Sequence, residues 1–233
     1  MSAGALELWA GGRTVELRGF TWMQDHELHA IPISRLASNI LCKDHNSALS
    51  GLDTVGKRWV EHLAAVNADI NAVARPRPET MFLINGHDLE RWIVKMLCGL
   101  VVSGTVEVPG IADPRAWRPP VDWLEMVYGL RPLPLGCGLN FIGQPGEELR
   151  NRIEIGVISN SIDGPYGLPV TFYGLRFLFA MSTSRDGLLQ NATYRPEIIH
   201  STNSDIEDYT LLRWSVGATT GGLINIVAKT PEQ

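Results

Sequence analysis

From Val55 onward the apolar residues recur about one helical turn apart. Val55, Trp59, Val60, Leu63 and Ala64 form one stripe, which predicts a helix beginning near Ser50 or Asp53. Ser50 and Asp53 have the spacing of a capping pair, and Gly56 lowers the propensity inside the stripe. A second stripe of Leu89, Trp92, Ile93, Met96, Leu97 and Leu100 predicts another helix, with Arg91 and Lys95 on its polar side. Asn85, with Asp88 three residues on, supplies a cap for it, and Met81-Phe82-Leu83-Ile84 just before it reads as a short strand. Residues 66–80 contain Asn67, Asp69, Asn71, Pro76 and Pro78 and read as a connection.

Elsewhere the pattern is strand-like. Leu6 and Leu8, then Val15 and Leu17, alternate with polar residues around Gly11-Gly12, which predicts a hairpin. Prolines 109, 114, 119, 120, 132 and 134 break the chain, leaving room for one short helix at Asp122 to Tyr128. Strands are predicted at Ile153 to Ile158, at Val170 to Met181 with a break at Gly174, at Glu197 to His200, at Tyr209 to Trp214 and at Leu223 to Val227. The whole reads as α+β, with helices in the middle and a mostly antiparallel C-terminal sheet. Three regions follow: 1–105 with the helices, a proline-rich connection over 106–145, and a β-rich region over 146–233 that can be continuous with the first.

Composition narrows the function classes. The 233 residues carry a formal charge of -5, so there is no global basic field for nucleic acid, and a DNA partner would need a local patch. Cys42, Cys98 and Cys137 are widely spaced, with no CxxC pair, so no disulfide framework is expected and a reducing cytoplasmic setting is the default. No secretory signal is expected, and the apolar run Trp92 to Val102 is too short for a membrane span.

The one stretch with a chemical signature runs from His29 to Asp53. Cys42-Lys43-Asp44-His45 has the two-residue gap that lets neighbouring ligands share a metal, and Zn2+ accepts thiolate and imidazole. Asp25 and His26 lie close enough in sequence to add ligands. His29 has the chemistry of a general base that activates water, and a divalent ion beside it would stabilise a phosphoryl group in transfer. The structural alternatives are that Cys42 packs, His45 bonds near a helix start, His29 is a turn histidine and Asn39 braces a turn.

His29-Ala30-Ile31-Pro32, then Asn39-Ile40-Leu41-Cys42-Lys43-Asp44-His45-Asn46, then a helix, resembles the ββα core of HNH endonucleases. The resemblance covers residues 20–65. The segments Leu41 to Asp53 and Asn85 to Leu100 also resemble uncharacterised bacterial HNH-like proteins, in the same order. It implies a degenerate, treble-clef-like ββα core at the N-terminus and metal-dependent phosphodiester hydrolysis of DNA. It implies His29 as base and Asn39 as the family's asparagine, and Cys42 and His45 as the second zinc pair, with Zn2+ as a structural ion and Mg2+ or Mn2+ as the catalytic one. By their nearness in sequence, His26 is a further catalytic candidate and Asp25 a further metal ligand. Three features depart from the family: no cysteine precedes Cys42, so the upstream metal pair is missing; Leu28 stands where an acidic or histidine neighbour usually precedes the base; and His29 and Asn39 are only ten positions apart. A truncated or a degenerate, inactive core would explain the missing pair.

Two other readings stay open. One is a non-catalytic binding or accessory protein on the decayed core, presenting the C-terminal sheet and aromatics such as Trp214 or Tyr194 to a protein partner. The other is an unrelated enzyme using Asp122, Glu125, Glu147, Glu148 and His200.

Overall fold

The computed structural model describes residues 14–17, 29–32, 42–71, 79–104, 108, 111–113, 116–142, 153–160, 164–182, 189, 192–202 and 207–227. Strand β1 (Thr14–Leu17) pairs antiparallel with β2 (His29–Pro32), with Thr14 opposite Pro32 and Leu17 opposite His29. Val15 and Leu17 thus lie in a strand as expected; the predicted hairpin partner Leu6 to Leu8 lies outside the described residues.

Helix α1 (Lys43–Ala48) is short and buries nothing. Helix α2 (Ser50–Asn71) begins where the apolar stripe predicts, but runs further. The expected connection at 66–80 is corrected over residues 66–71, which are helical. The turn-forming asparagines and aspartate there are outweighed by Val66 and Ile70, which continue the stripe into the core. The Ser50–Asp53 capping pair does not form. Ser50 Oγ donates to the Ser47 carbonyl at 2.8 Å, and Asp53 instead pairs with Lys95 at 2.8 Å.

Strand β3 (Thr80–Asn85) leads straight into helix α3 (Gly86–Val102), capped by the Asn85 side chain, which accepts from the His87 and Asp88 N–H groups. Helix α3 packs against α2 and β3. It also packs against α4 (Val121–Tyr128). Its polar side is covered rather than solvated. Lys95 bridges to α2 through Asp53, and Arg91 Nε donates to the Val127 carbonyl of α4 at 3.0 Å. Gly56 permits the close crossing of α2 and α3, because a Cβ there would overlap the Trp92 indole.

The strands form two larger sheets. The first contains β4 (Gly138–Phe141), β5 (Ile153–Ile155), β6 (Ile158–Asn160), β7 (Gly164–Phe172), β8 (Leu175–Ala180) and β9 (Thr193–Tyr194). It is ordered β5-β7-β8-β4-β9, with β6 also on β7, and every ladder is antiparallel. The second adds β10 (Ile198–Thr202), β11 (Glu207–Arg213) and β12 (Leu223–Val227) to β3, ordered β12-β10-β11-β3. Here β10 and β11 are antiparallel, while β12 runs parallel to β10 and β3 parallel to β11. The chain is therefore α+β, with its helices in the middle and a mostly antiparallel C-terminal third.

A single apolar cluster joins both sheets to the helices. Trp59 of α2 meets Phe177 of β8 edge-on, with ring centroids 5.7 Å apart. Strand β4 falls within the proline-rich stretch, yet it is paired on both sides and wholly buried. Among the described residues, no helix is long and apolar enough to cross a membrane.

Candidate functional site

Cys42 is the extended residue just before α1, and His45 lies one turn into that helix. This places Cys42 Sγ 2.9 Å from His45 Nδ1, with both groups exposed. The ring of His45 also meets Tyr128 of α4 edge-on at 6.1 Å. At 2.9 Å the contact is a hydrogen bond. Two zinc ligands with tetrahedral bonds of ordinary length stand about 3.5 Å apart. The pair would therefore open by a fraction of an ångström to hold an ion, and surface exposure allows that. Among the described residues, no group of three or more His, Cys, Asp or Glu is placed to hold a metal. Asp25, His26, Arg35 and Asn39 lie outside the described residues, as does the side chain of His29, whose backbone opens β2. Of the cations expected to meet phosphate, Lys57 pairs with Glu61 at 3.7 Å and Arg58 sits 5.6 Å over the Phe82 ring.

The strongest polar constellation lies elsewhere. Glu90 on α3 is wholly buried and is held by Arg195, whose Nε and Nη2 donate to its two carboxylate oxygens at 2.9 Å each. The Leu139 N–H of β4 donates to the same Oε1 at 2.9 Å. The guanidinium lies between two rings, 5.1 Å from Tyr194 and 5.2 Å from Trp214. Tyr194 donates to the Cys137 carbonyl, and Trp214 Nε1 to the Pro196 carbonyl, both at 3.0 Å. The two aromatics expected on a free surface are thus locked around a buried ion pair. Gly138, at φ 134°, leaves the room that a Cβ would take from Glu90.

Beside this clamp, Ser215 Oγ lies 3.0 Å from His87 Nε2, and His87 Nδ1 lies 3.7 Å from Glu90 Oε2. The order serine, histidine, carboxylate is that of a nucleophilic triad. Its electrostatics are not. The Ser215 N–H donates to the same Nε2 at 3.0 Å, so the lone pair a base would use is occupied. Glu90 is already neutralised by Arg195. The arrangement ties the loop after β11 to the start of α3 and carries no hydrolytic chemistry.

Among the described residues, the four-stranded sheet has a helix-covered face and a partly exposed one. On the covered face, Phe82 stacks on His62 of α2 with ring centroids 4.1 Å apart, and His62 Nε2 lies 2.6 Å from the buried Thr210 hydroxyl. Burial pushes the imidazole down to about 4, so it is neutral near pH 7. On the partly exposed face, the pairing register lines up Leu223, Ile198, Leu211 and Leu83 across all four strands. The next row is Asn225, His200, Tyr209 and Met81. His200 stacks flat on Tyr209 at 4.4 Å and contacts Asn225 at 3.1 Å.

Of the other sequence candidates, Asp122 accepts from the Trp123 N–H at 3.0 Å and Glu125 stands 3.9 Å from Arg131. His200 lies in the sheet, away from both. Glu147 and Glu148 are outside the described residues. Glu90 was missed, although its signal was present: it shares a helical face with Val94, Leu97 and Val101, where a lone carboxylate needs a partner.

Comparison with family models, with curated proteins and with solved structures finds no match to this chain.

Proposed function

We propose that the chain is an HNH-endonuclease-like protein whose N-terminal segment acts on DNA by metal-dependent phosphodiester hydrolysis. The observation that supports this is the order of elements around the signature residues. An antiparallel strand pair, with His29 opening its second strand, is followed by a helix that starts at Cys42 and sets His45 against the thiol. That order is the order of a ββα core. In this reading His29 would take a proton from a water as its oxygen attacks phosphorus, and the ester oxygen would leave as an alkoxide that takes a proton from solvent. His26 and Asn39 would hold that base or a divalent ion, Mg2+ or Mn2+, which would supply charge stabilisation to the leaving oxygen. Cys42 and His45, with Asp25, would hold a structural Zn2+.

The test is nicking of supercoiled plasmid by the full chain with Mg2+ or Mn2+, beside metal analysis of the purified protein. Expected are cleavage lost in His29→Ala, and bound zinc lost in Cys42→Ser and His45→Ala. No cleavage with any divalent metal would sink the catalytic reading.

A second reading is favoured by the partly exposed sheet face: a binding protein on a decayed ββα core. Two ordered rows of apolar and aromatic side chains, partly exposed among the described residues, are the kind of surface a protein partner uses. Partner capture that survives His29→Ala but is lost in a Tyr209→Ala, Leu211→Ala double variant would select this reading.

A further inference from the structure

We propose that two copies of this chain associate through the free edge of β3, antiparallel about a twofold axis at Phe82, joining their four-stranded sheets into one of eight strands.

Strand β3 ends its sheet, and among the described residues no strand covers its outer side. Proteins blunt such edges with charges, proline or bulges. Thr80-Met81-Phe82-Leu83-Ile84-Asn85 has none of the three, and its ladder with β11 is regular over six residues. Met81 and Leu83 are 70% and 57% exposed, which is unusual for neighbouring apolar residues on one face.

The strand is complementary to itself. With Phe82 on the axis, Met81 faces Leu83 of the second copy, and Leu83 faces its Met81. The apolar row then continues unbroken across the junction. The charges agree with this direction. Glu79 and Glu207 are exposed at one end of the β3/β11 pair, and Arg213 is exposed beside Asn85 at the other. Desolvation raises the Tyr209 phenol first, and the Glu207 and Glu79 carboxylates at this end add to the rise. Antiparallel pairing sets Glu79 of one copy on the row of Arg213 of the other. The two are two strand spacings apart, roughly 10 Å, which two long side chains span. Parallel pairing would instead bring four carboxylates together. At the opposite edge, β12, Leu223 is exposed while Ile224 and Ile226 are buried.

Light scattering on the eluting full chain tests this over a concentration series. A dimer is expected at roughly 100 μM, well above a micromolar Kd. Leu83→Lys sets a cation beside Met81 on the junction and is expected to weaken the dimer about tenfold or more, with far-UV dichroism unchanged. A register test uses Met81→Cys and Leu83→Cys, each in the Cys42→Ser background. Facing residues in an antiparallel pair lie about 4.5–5.5 Å apart, within disulfide reach. Oxidation is therefore expected to cross-link the mixture far more than either variant alone. A monomer at every concentration overturns the proposal and leaves the edge to a strand from another protein. A dimer that Leu83→Lys leaves intact, or cross-linking no greater in the mixture, overturns it as well.

Discussion

Glu90 and Arg195 face each other through two parallel hydrogen bonds of 2.9 Å, with the carboxylate wholly buried. They lie 105 residues apart in sequence and fasten α3 to the turn between β9 and β10. Breaking a buried pair strands the remaining charge and costs about 3–5 kcal/mol. Glu90→Ala is therefore expected to destabilise the fold by that order in urea unfolding. A double variant, Glu90→Gln with Arg195→Met, keeps an acceptor for the Leu139 N–H and removes both charges. It is expected to recover most of the loss. Equal losses in the single and double variants would show that packing, not charge, dominates here.

His62 links stability to pH. Its pKa is about 4 in the folded chain, against the ordinary 6.5, because burial disfavours the imidazolium. The unfolded chain therefore binds the extra proton first. His62 stabilises the fold fully above pH 6.5, and that contribution is lost as pH falls from 6.5 towards 4. Below about 4 the loss levels off. The size is on the order of 2 kcal/mol, discounted for partial exposure. Unfolding free energy measured across this range should fall in the wild type and fall less steeply in His62→Gln. Identical slopes would remove His62 as the cause.

Gly56 sits in the interior of a helix, where alanine would usually stabilise by up to about 1 kcal/mol. Here a methyl group meets the Trp92 indole. Gly56→Ala is expected to lower stability by about 1–3 kcal/mol, the usual range for overpacking. Adding Trp92→Phe, which frees space at that contact, should recover part of the loss. A Gly56→Ala variant more stable than wild type would contradict the packing described.

The three cysteines should separate by reactivity. Cys42 is exposed, whereas Cys98 and Cys137 are buried. Burial pushes the Cys98 thiol up to about 12 and raises Cys137 as well, so neither offers a thiolate near neutral pH. A disulfide-exchange reagent should titrate one fast equivalent in the native protein and three after unfolding. Two fast equivalents in the native state would refute the burial of one of them. If Cys42 and His45 hold zinc, the fast equivalent should slow when zinc is added.

Helices α2 and α3 were legible because each carries its own apolar period. The cap at Asn85, the stripe of α3 and the strand Met81 to Ile84 all lie where local chemistry puts them. The end of α2 was obscured because asparagine and aspartate read as turn formers when their burial is unknown. Strand β4 was hidden for another reason. Gly138-Leu139-Asn140-Phe141 is buried throughout, so it shows no alternation, and it follows a run of prolines. The Glu90–Arg195 clamp depends on a partner 105 residues away, which no local pattern reports. Of the signature stretch, the sequence implied that Cys42 and His45 are neighbours, and they are. Asp25, His26 and Asn39 lie outside the described residues.

The parallel pairing of β3 with β11 also bears on how the nascent chain is made. Thr80 and Asp208 hydrogen-bond to each other, yet 128 residues separate them. At about 5–20 residues per second, a ribosome needs roughly 6–25 s to cover that interval. Throughout it, Met81 to Ile84 is an apolar segment with its inner neighbour not yet synthesised. Until then the segment stays unpaired on that side, and slowed elongation would lengthen its exposure.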